Sequence, residues 1–167
     1  MTAGNGAMRA SRLPALGRRG EGWVALQAAL LAAIIATGLL GPAWPAGPRL
    51  WLALAASAAA AGGALLLVGG GLGLGGQLTA MPRPVPEGTV RQDGVYRLVR
   101  HPMYGGVLLL ALAWSLVSSP ATLVPWLVAA AFLEAKRRRE EAWLLEQHPE
   151  YESYRRRVRH RFVPFVW

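Results

Sequence analysis

Residues able to bind or transform a ligand are concentrated between positions 94 and 106, where the sequence reads GVYRLVRHPMYGG. Pro102 predicts the first turn of a helix, because a proline there loses no backbone hydrogen bond. His101 would then lie at the helix N-terminus, where free N–H groups favour an anion such as a carboxylate. Tyr96 and Tyr104 add aromatic faces and hydroxyls. The alternative is an aromatic and basic belt at a membrane interface, with His101 as an ordinary helix cap.

A second group of such residues is the charged run KRRREE, from Lys136 to Glu141. Taken alone, a run of this kind is typical of a solvated helix face near lipid headgroups. Two apolar stretches, 104–117 and 121–133, flank a proline and predict a helical hairpin. A hairpin returns its second helix to the side where the first began, so it would bring carboxylates beside His101. That arrangement suits a zwitterionic amino-acid head group.

The apolar part of the sequence predicts how the hairpin is held. Hydrophobic residues make up 53% of the 167 positions, and neither 22–48 nor 50–77 contains a charge. Runs of this length cross a bilayer, which excludes a soluble monomer. Spans are expected at 23–40 and 50–74. With the hairpin, the sequence predicts an all-α, polytopic membrane protein with about four transmembrane helices and cytosolic C-terminal helices.

One glycine-rich stretch imitates a nucleotide-binding motif. Residues 71–76 read GLGLGG and match G-x-G-x-x-G. That motif binds dinucleotides only between a strand and a helix. Here it ends an apolar helix, so we expect the glycines to serve close helix packing or the helix end.

The charged residues lie almost entirely on one side of the predicted membrane topology. The chain carries 18 Lys+Arg and 9 Asp+Glu, and every one of them except Arg49 falls on one face of the predicted topology. The positive-inside rule then places both termini and the loop 77–102 in the cytoplasm. The sidedness indicates a membrane partner rather than nucleic acid. The composition, rich in arginine, alanine and glycine, indicates a bacterial source, so a bacterial inner membrane is the expected location.

The residue inventory restricts the chemistry further. With no cysteine, thiolate catalysis and cysteine-based metal sites are excluded, and no metal site is expected. His148 and His160 lie in the basic C-terminal part, where we expect solvated side chains. Lys136 is the one lysine in the chain.

The motif Arg100-His-Pro-Met-Tyr104-x-Gly106, a hydrophobic hairpin and then Glu140-Glu141 resembles the isoprenylcysteine carboxyl methyltransferase family, in its bacterial form. The C-terminal pairs Tyr151-x-x-Tyr154 and Arg161-Phe162-x-Pro164 fit the same family. The resemblance covers about residues 77–167 and implies a methyltransferase-like cofactor-binding core there. The charge and apolar patterns predict the other two regions, a basic cytosolic segment 1–22 and two transmembrane helices in 23–76.

The resemblance also implies roles for individual residues around an S-adenosyl-L-methionine pocket. Cofactor-binding positions correspond to Gly88, Thr89, Val90, Arg91, Tyr96, His101, Pro102, Met103, Tyr104 and Glu140. Catalytic positions correspond to Glu140, Glu141 and Lys136, and substrate-binding positions to Lys136 and Arg137. Lys136 stands where the family has an arginine and lacks its bidentate fork.

The implied reaction is methyl transfer from S-adenosyl-L-methionine to a lipophilic or small acceptor, with a carboxylate favoured. The bilayer and that acceptor are the expected partners, and the oligomeric state stays open. Three alternatives remain: a phospholipid N-methyltransferase, an NADPH-dependent membrane reductase of related architecture, and a non-catalytic membrane protein that binds anionic lipid.

Overall fold

A computed structural model describes residues 13–84 and 88–166 of the chain. Over these ranges it contains five α-helices and no strand. The helices are α1 (Glu21–Leu40), α2 (Arg49–Leu74), α3 (Pro102–Ser118), α4 (Leu123–Gln147) and α5 (Tyr151–Arg157). Short 3-10 helices lie at Gly75–Gln77, Gly94–Arg97 and Pro120–Thr122. Residues 1–12 of the predicted basic segment lie outside the described residues, as do 85–87 and 167 of the predicted core.

Two of the described helices are long and apolar enough to cross a bilayer, namely α1 and the stretch Arg49–Gln77 that contains α2. Only 11% of the first apolar window and 17% of the second are buried inside the protein. Leu40 and Leu72 are 87% and 79% exposed. Outward-facing apolar surface of this extent is typical of membrane association rather than of a soluble core. The all-helical prediction is confirmed, whereas only two of the four predicted spans meet this test.

The predicted hairpin is present and consists of α3 and α4. Pro102 occupies the first turn of α3 with His101 as its N-cap, as the sequence predicts. The indole N–H of Trp126 in α4 donates to the Leu108 carbonyl of α3 at 2.9 Å. The charged half of α4 continues the apolar half as one 25-residue helix, about 38 Å long. The run that begins at Lys136 therefore extends directly from the hairpin.

Small residues let α2 and α3 approach closely. A Cβ on Gly106 would lie 2.8 Å from the Gly63 carbonyl and 2.6 Å from the side chain of Leu67. At one end of the same α2–α3 contact, Gly70 packs against Pro102. The close approach fixes the start of α3 beside the end of α2. The glycine-rich motif ends α2 at Leu74, as predicted, and no strand precedes it.

Residues near the C-terminus hold the start of α3 in place by hydrogen bonds and packing. The backbone N–H groups of Arg100 and His101 donate to the carbonyls of His160 and Arg161 at 3.1 and 2.8 Å. Phe162 is fully buried in a core with Leu108, Ala130 and Leu133 of the hairpin. A Cβ on Gly105 would collide with the backbone carbonyl of Phe162. Glycine is therefore required where the returning chain crosses α3.

Candidate functional site

A cavity of about 510 Å³ lies between α1, the loop after α2, the start of α3 and the charged half of α4. Its volume is within the range of small-molecule and cofactor sites. Every residue predicted to bind the cofactor lines it: Gly88, Thr89, Val90, Arg91, Tyr96, His101, Pro102, Met103, Tyr104 and Glu140. These residues come from three separate segments, and their roles stay predictions.

Three side chains form the polar wall between the arms of the hairpin. The Tyr104 hydroxyl donates to Glu140 Oε2 at 2.5 Å. The rings of Tyr104 and His101 are stacked, with centroids 5.5 Å apart and planes 7° from parallel. His101 Nδ1 lies 3.9 Å from the same Glu140 oxygen. A carboxylate beside two aromatic faces can bind a cationic group.

Glu141, the neighbour of Glu140, does not line the cavity and is buried behind this wall. Its carboxylate interacts with Arg100 Nε at 2.9 Å, His101 Nε2 at 3.1 Å, Arg137 Nη1 at 2.6 Å and the Tyr151 hydroxyl at 3.2 Å. Burial by itself raises the pKa of the Glu141 carboxyl. The hydrogen bond from His101 and the cationic guanidinium groups outweigh burial and hold that pKa well below its usual range.

Of the two predicted substrate-binding residues, Lys136 lines the cavity and Arg137 does not. Arg137 is buried and bridges Glu134 and Glu141, with N–O distances of 2.6 Å to both. The predicted catalytic pair Glu140 and Glu141 is likewise divided, since only Glu140 reaches the cavity. Glu141 and Arg137 thus occupy positions from which they can orient cavity residues rather than touch a ligand.

Tyr96 is positioned by contacts from two helices. The 3-10 helix Gly94–Arg97 begins at Gly94, whose φ of +53° favours glycine. The Tyr96 hydroxyl donates to the Gly70 carbonyl of α2 at 3.2 Å. The Tyr154 hydroxyl of α5 donates to the Tyr96 carbonyl at 2.7 Å. Tyr154 therefore holds Tyr96 in place, and both Tyr151 and Tyr154 also line the cavity.

The segment 88–91 supplies a cationic edge to the cavity. Its backbone is fixed to the 3-10 helix that follows α2, where Gln77 Oε1 accepts a 2.8 Å hydrogen bond from the Thr89 N–H. Within the described part of the chain, the buried Nε of Arg91 has no hydrogen-bond partner. Arg91 itself lines the cavity, so its guanidinium brings positive charge to this edge.

Sequence reasoning missed the contribution of α1, where Val24, Gln27 and Leu31 line the cavity. One signal was available, because Gln27 is the lone polar residue among 24–36. The expectation for His148 was wrong. Its side chain is 17% exposed and lines the cavity, directly after the last residue of α4.

Comparison with known proteins identifies the segment that builds this site. Residues 72–147 match the isoprenylcysteine carboxyl methyltransferase (ICMT) family. Delta(14)-sterol reductase TM7SF2 from Mus musculus is 36% identical over 90 residues, which cover 50% of this chain and 22% of the reductase. The chain thus spans about a fifth of the length of that relative. The family resemblance predicted from the motifs is confirmed over residues 72–147, the segment that contains the hairpin and most of the cavity wall.

Proposed function

We propose that this protein is a membrane methyltransferase that uses S-adenosyl-L-methionine and methylates a lipophilic or small acceptor, with a carboxylate favoured. One observation carries the proposal. The Glu140 carboxylate, the stacked His101 and Tyr104 rings and the Arg91 side chain surround a single cavity. This cavity lies largely within the family-matched segment.

The cavity residues fit S-adenosyl-L-methionine. The cofactor has a cationic sulfonium, an ammonium, a carboxylate and an aromatic base. Glu140 and the aromatic faces suit the cations, and Arg91 suits the carboxylate. Apolar residues such as Leu78, Val107 and Leu144 offer a surface for the base. When bound, the cofactor supplies an electrophilic methyl group.

The chain contributes orientation and exclusion of water. Tyr104 fixes the Glu140 carboxylate by a hydrogen bond, and His101 stacks against Tyr104. Glu141 holds the opposite nitrogen of the His101 ring, which makes Glu141 a positioning residue. A carboxylate acceptor is already nucleophilic and needs no strong base. Alignment of the acceptor with the methyl group is then the main requirement.

The same proposal includes a topology. The sidedness of the charges supports both termini and the site on the cytosolic face of a bacterial inner membrane. The α3–α4 hairpin would enter the bilayer from that face and return to it, giving four membrane-embedded helices with α1 and α2. A lipophilic acceptor could then reach the cavity from the bilayer.

Calorimetric titration of S-adenosylhomocysteine into purified protein in detergent tests the proposal. Binding is expected, and Glu140→Gln should weaken it about tenfold, because a hydrogen bond or contact with a charged group is lost. Glu146→Gln, an exposed carboxylate on the same helix, is the matched control and should bind like the wild type. Absence of binding to the folded wild type would overturn the proposal.

A second candidate function rests on the sterol reductase relative, whose matched stretch is 36% identical. An NADPH-dependent reductase would bind NADPH in place of S-adenosylhomocysteine. A competition titration distinguishes the two. Methyl transfer from labelled cofactor to an amine lipid in an extract would identify a phospholipid N-methyltransferase instead. Binding of neither cofactor would indicate a non-catalytic membrane protein.

A further inference from the structure

Glu134 lies on α4 outside the cavity lining, and its carboxylate accepts hydrogen bonds from three arginines. Arg137 donates two of them, at 2.6 and 2.9 Å, and Arg138 donates one at 2.9 Å. Arg161, from the C-terminal segment, donates through Nη1 at 3.3 Å. The Glu134 side chain is only 14% exposed, so the carboxylate is largely removed from water. Glu134 therefore ties the C-terminal segment to α4.

Two routes of contacts lead from Glu134 to His101. In the first, Arg137 bridges Glu134 and Glu141, and Glu141 Oε1 lies 3.1 Å from Nε2 of the His101 imidazole. In the second, Arg161 contacts Glu134 with its side chain, and its carbonyl accepts the His101 backbone N–H at 2.8 Å. These five residues form a closed loop of contacts, the His101 circuit. One route holds the imidazole of His101 and the other holds its backbone.

His101 depends on such contacts because α3 does not hold it. It is the N-cap of that helix, with a φ of −127° and a ψ of 63°, outside helical values. The first N–H groups of a helix have no partner within it, and the Arg161 carbonyl supplies one here. The imidazole is stacked on Tyr104, but a 180° flip would preserve the stack and exchange the nitrogen and carbon edges. The contact with Glu141 selects one of these orientations.

We propose that Glu134 and Arg161 are positioning residues, which close the circuit that keeps the His101 imidazole in one orientation toward the cavity. The consequence for S-adenosyl-L-methionine binding rests on the proposed function, whereas the orientation of the imidazole does not. Both residues act through others, since neither lines the cavity. Without the Glu134 carboxylate, Arg137 retains only Glu141, and Arg161 loses its ion pair with α4. Both routes to His101 are then weakened.

NMR of the full chain in detergent, with 15N-labelled histidine, tests the circuit without any ligand, because the chain has three histidines. An ionised carboxylate only accepts hydrogen bonds, so the contact with Glu141 holds a proton on His101 Nε2. The wild type should give one Nε2–H signal for His101, identified by its loss in His101→Phe. Glu134→Gln and Arg161→Gln should broaden or split this signal, since the imidazole then samples more than one orientation. Arg161→Lys keeps a cation for Glu134 and should restore much of the wild-type signal.

Arg138→Gln is the matched control, because Arg138 bonds to Glu134 but is 60% exposed and lies outside the circuit. It removes the same kind of charge from beside the same carboxylate, and its His101 signal should match that of the wild type. A wild-type signal in both Glu134→Gln and Arg161→Gln would overturn the inference, as would equal broadening in Arg138→Gln. If Glu134→Gln does not fold, Arg161→Gln decides the same question from a more exposed side chain.

A double-mutant cycle measures the consequence for ligand binding, with S-adenosylhomocysteine as the probe in calorimetry. Glu134→Gln should weaken binding about tenfold in the wild type and have no further effect in His101→Phe, because its influence passes through His101. Losses that simply add would indicate a general structural effect and refute the positioning role. If the wild type does not bind the probe, the proposed function fails and the NMR comparison still decides the circuit. Normal binding with an unchanged His101 signal in both variants would refute the circuit alone.

Discussion

The Tyr104 hydroxyl donates a 2.5 Å hydrogen bond to the Glu140 carboxylate, although the two residues are 36 positions apart on opposite arms of the hairpin. This bond closes the polar wall of the cavity. It also fixes a carboxylate that would otherwise rotate freely about its side-chain bonds.

Removal of that hydroxyl should weaken ligand binding. Tyr104→Phe keeps the aromatic face but leaves Glu140 without its donor, so the affinity for S-adenosylhomocysteine should fall about tenfold. Calorimetry in detergent measures the change. Ser57→Ala, which removes an exposed hydroxyl from α2, should leave affinity intact. An unchanged dissociation constant in Tyr104→Phe would show that the hydroxyl does not position Glu140.

Neutralisation of Glu141 should lower the free energy of unfolding more than neutralisation of a surface carboxylate does. Glu141→Gln leaves the buried Arg100 without a carboxylate partner and Arg137 with Glu134 alone, a loss of about 3–5 kcal/mol in the free energy of unfolding. Glu152→Gln, whose partners are the more exposed Arg155 and Arg156, should cost less than about 1 kcal/mol. Denaturant unfolding in detergent compares the two. Equal losses would contradict the role of Glu141 as the centre of the buried network.

The same carboxylate makes stability fall in acid. The pKa of Glu141 is lower in the folded state than its ordinary value of 4.5. The unfolded state therefore binds the proton first, and the stabilisation is complete above that ordinary value and lost as the pH falls below it. Unfolding free energy should decline from about pH 4.5 downward. The unfolding free energy should depend less steeply on pH in Glu141→Gln than in the wild type. Equal pH dependence in the two proteins would show that Glu141 is not the source of the acid sensitivity.

Two glycines of the site region should respond in opposite ways to alanine. Gly105→Ala introduces a Cβ against the backbone carbonyl of Phe162, which should cost about 1–3 kcal/mol. Gly71→Ala meets nothing within 4 Å, and the better helix former should stabilise α2 by up to about 1 kcal/mol. Thermal unfolding separates the two.

Gly71→Ala also tests the dinucleotide interpretation of the stretch 71–76. Retention of S-adenosylhomocysteine binding in this variant fits a stretch that only ends α2, because Gly71 has no packing neighbour within 4 Å. Loss of NADPH binding in it would instead support the reductase alternative.

Local sequence was sufficient for the helices. Pro102 could occupy only a first turn without losing a hydrogen bond, and α3 begins there. The uncharged runs became α1 and α2, whose apolar side chains face outward. The break at Pro120 produced the hairpin. These features depend on backbone geometry and the solvation of short segments, which neighbouring residues determine.

The sequence did not predict which face of each helix points toward the cavity. Glu140 and Glu141 are adjacent and chemically identical, but one lines the cavity and the other is buried among Arg100, His101 and Arg137. Successive helical residues point about 100° apart. Which carboxylate faces the cavity depends on how the returning C-terminal chain packs against the start of α3.

By itself, the sequence determined an all-helical protein with two helices apolar and long enough to span a bilayer, a hairpin, and a set of residues that line one cavity. The tertiary structure alone decided that Glu141 and Arg137 neutralise one another behind the wall, and that α1 brings Gln27 to Lys136. The reason is physical: helix formation and membrane burial are set by local composition, whereas the partner of a buried charge is set by helix register. That register arises from contacts between residues distant in the chain, such as Trp23 with Phe132 and Gly105 with Phe162.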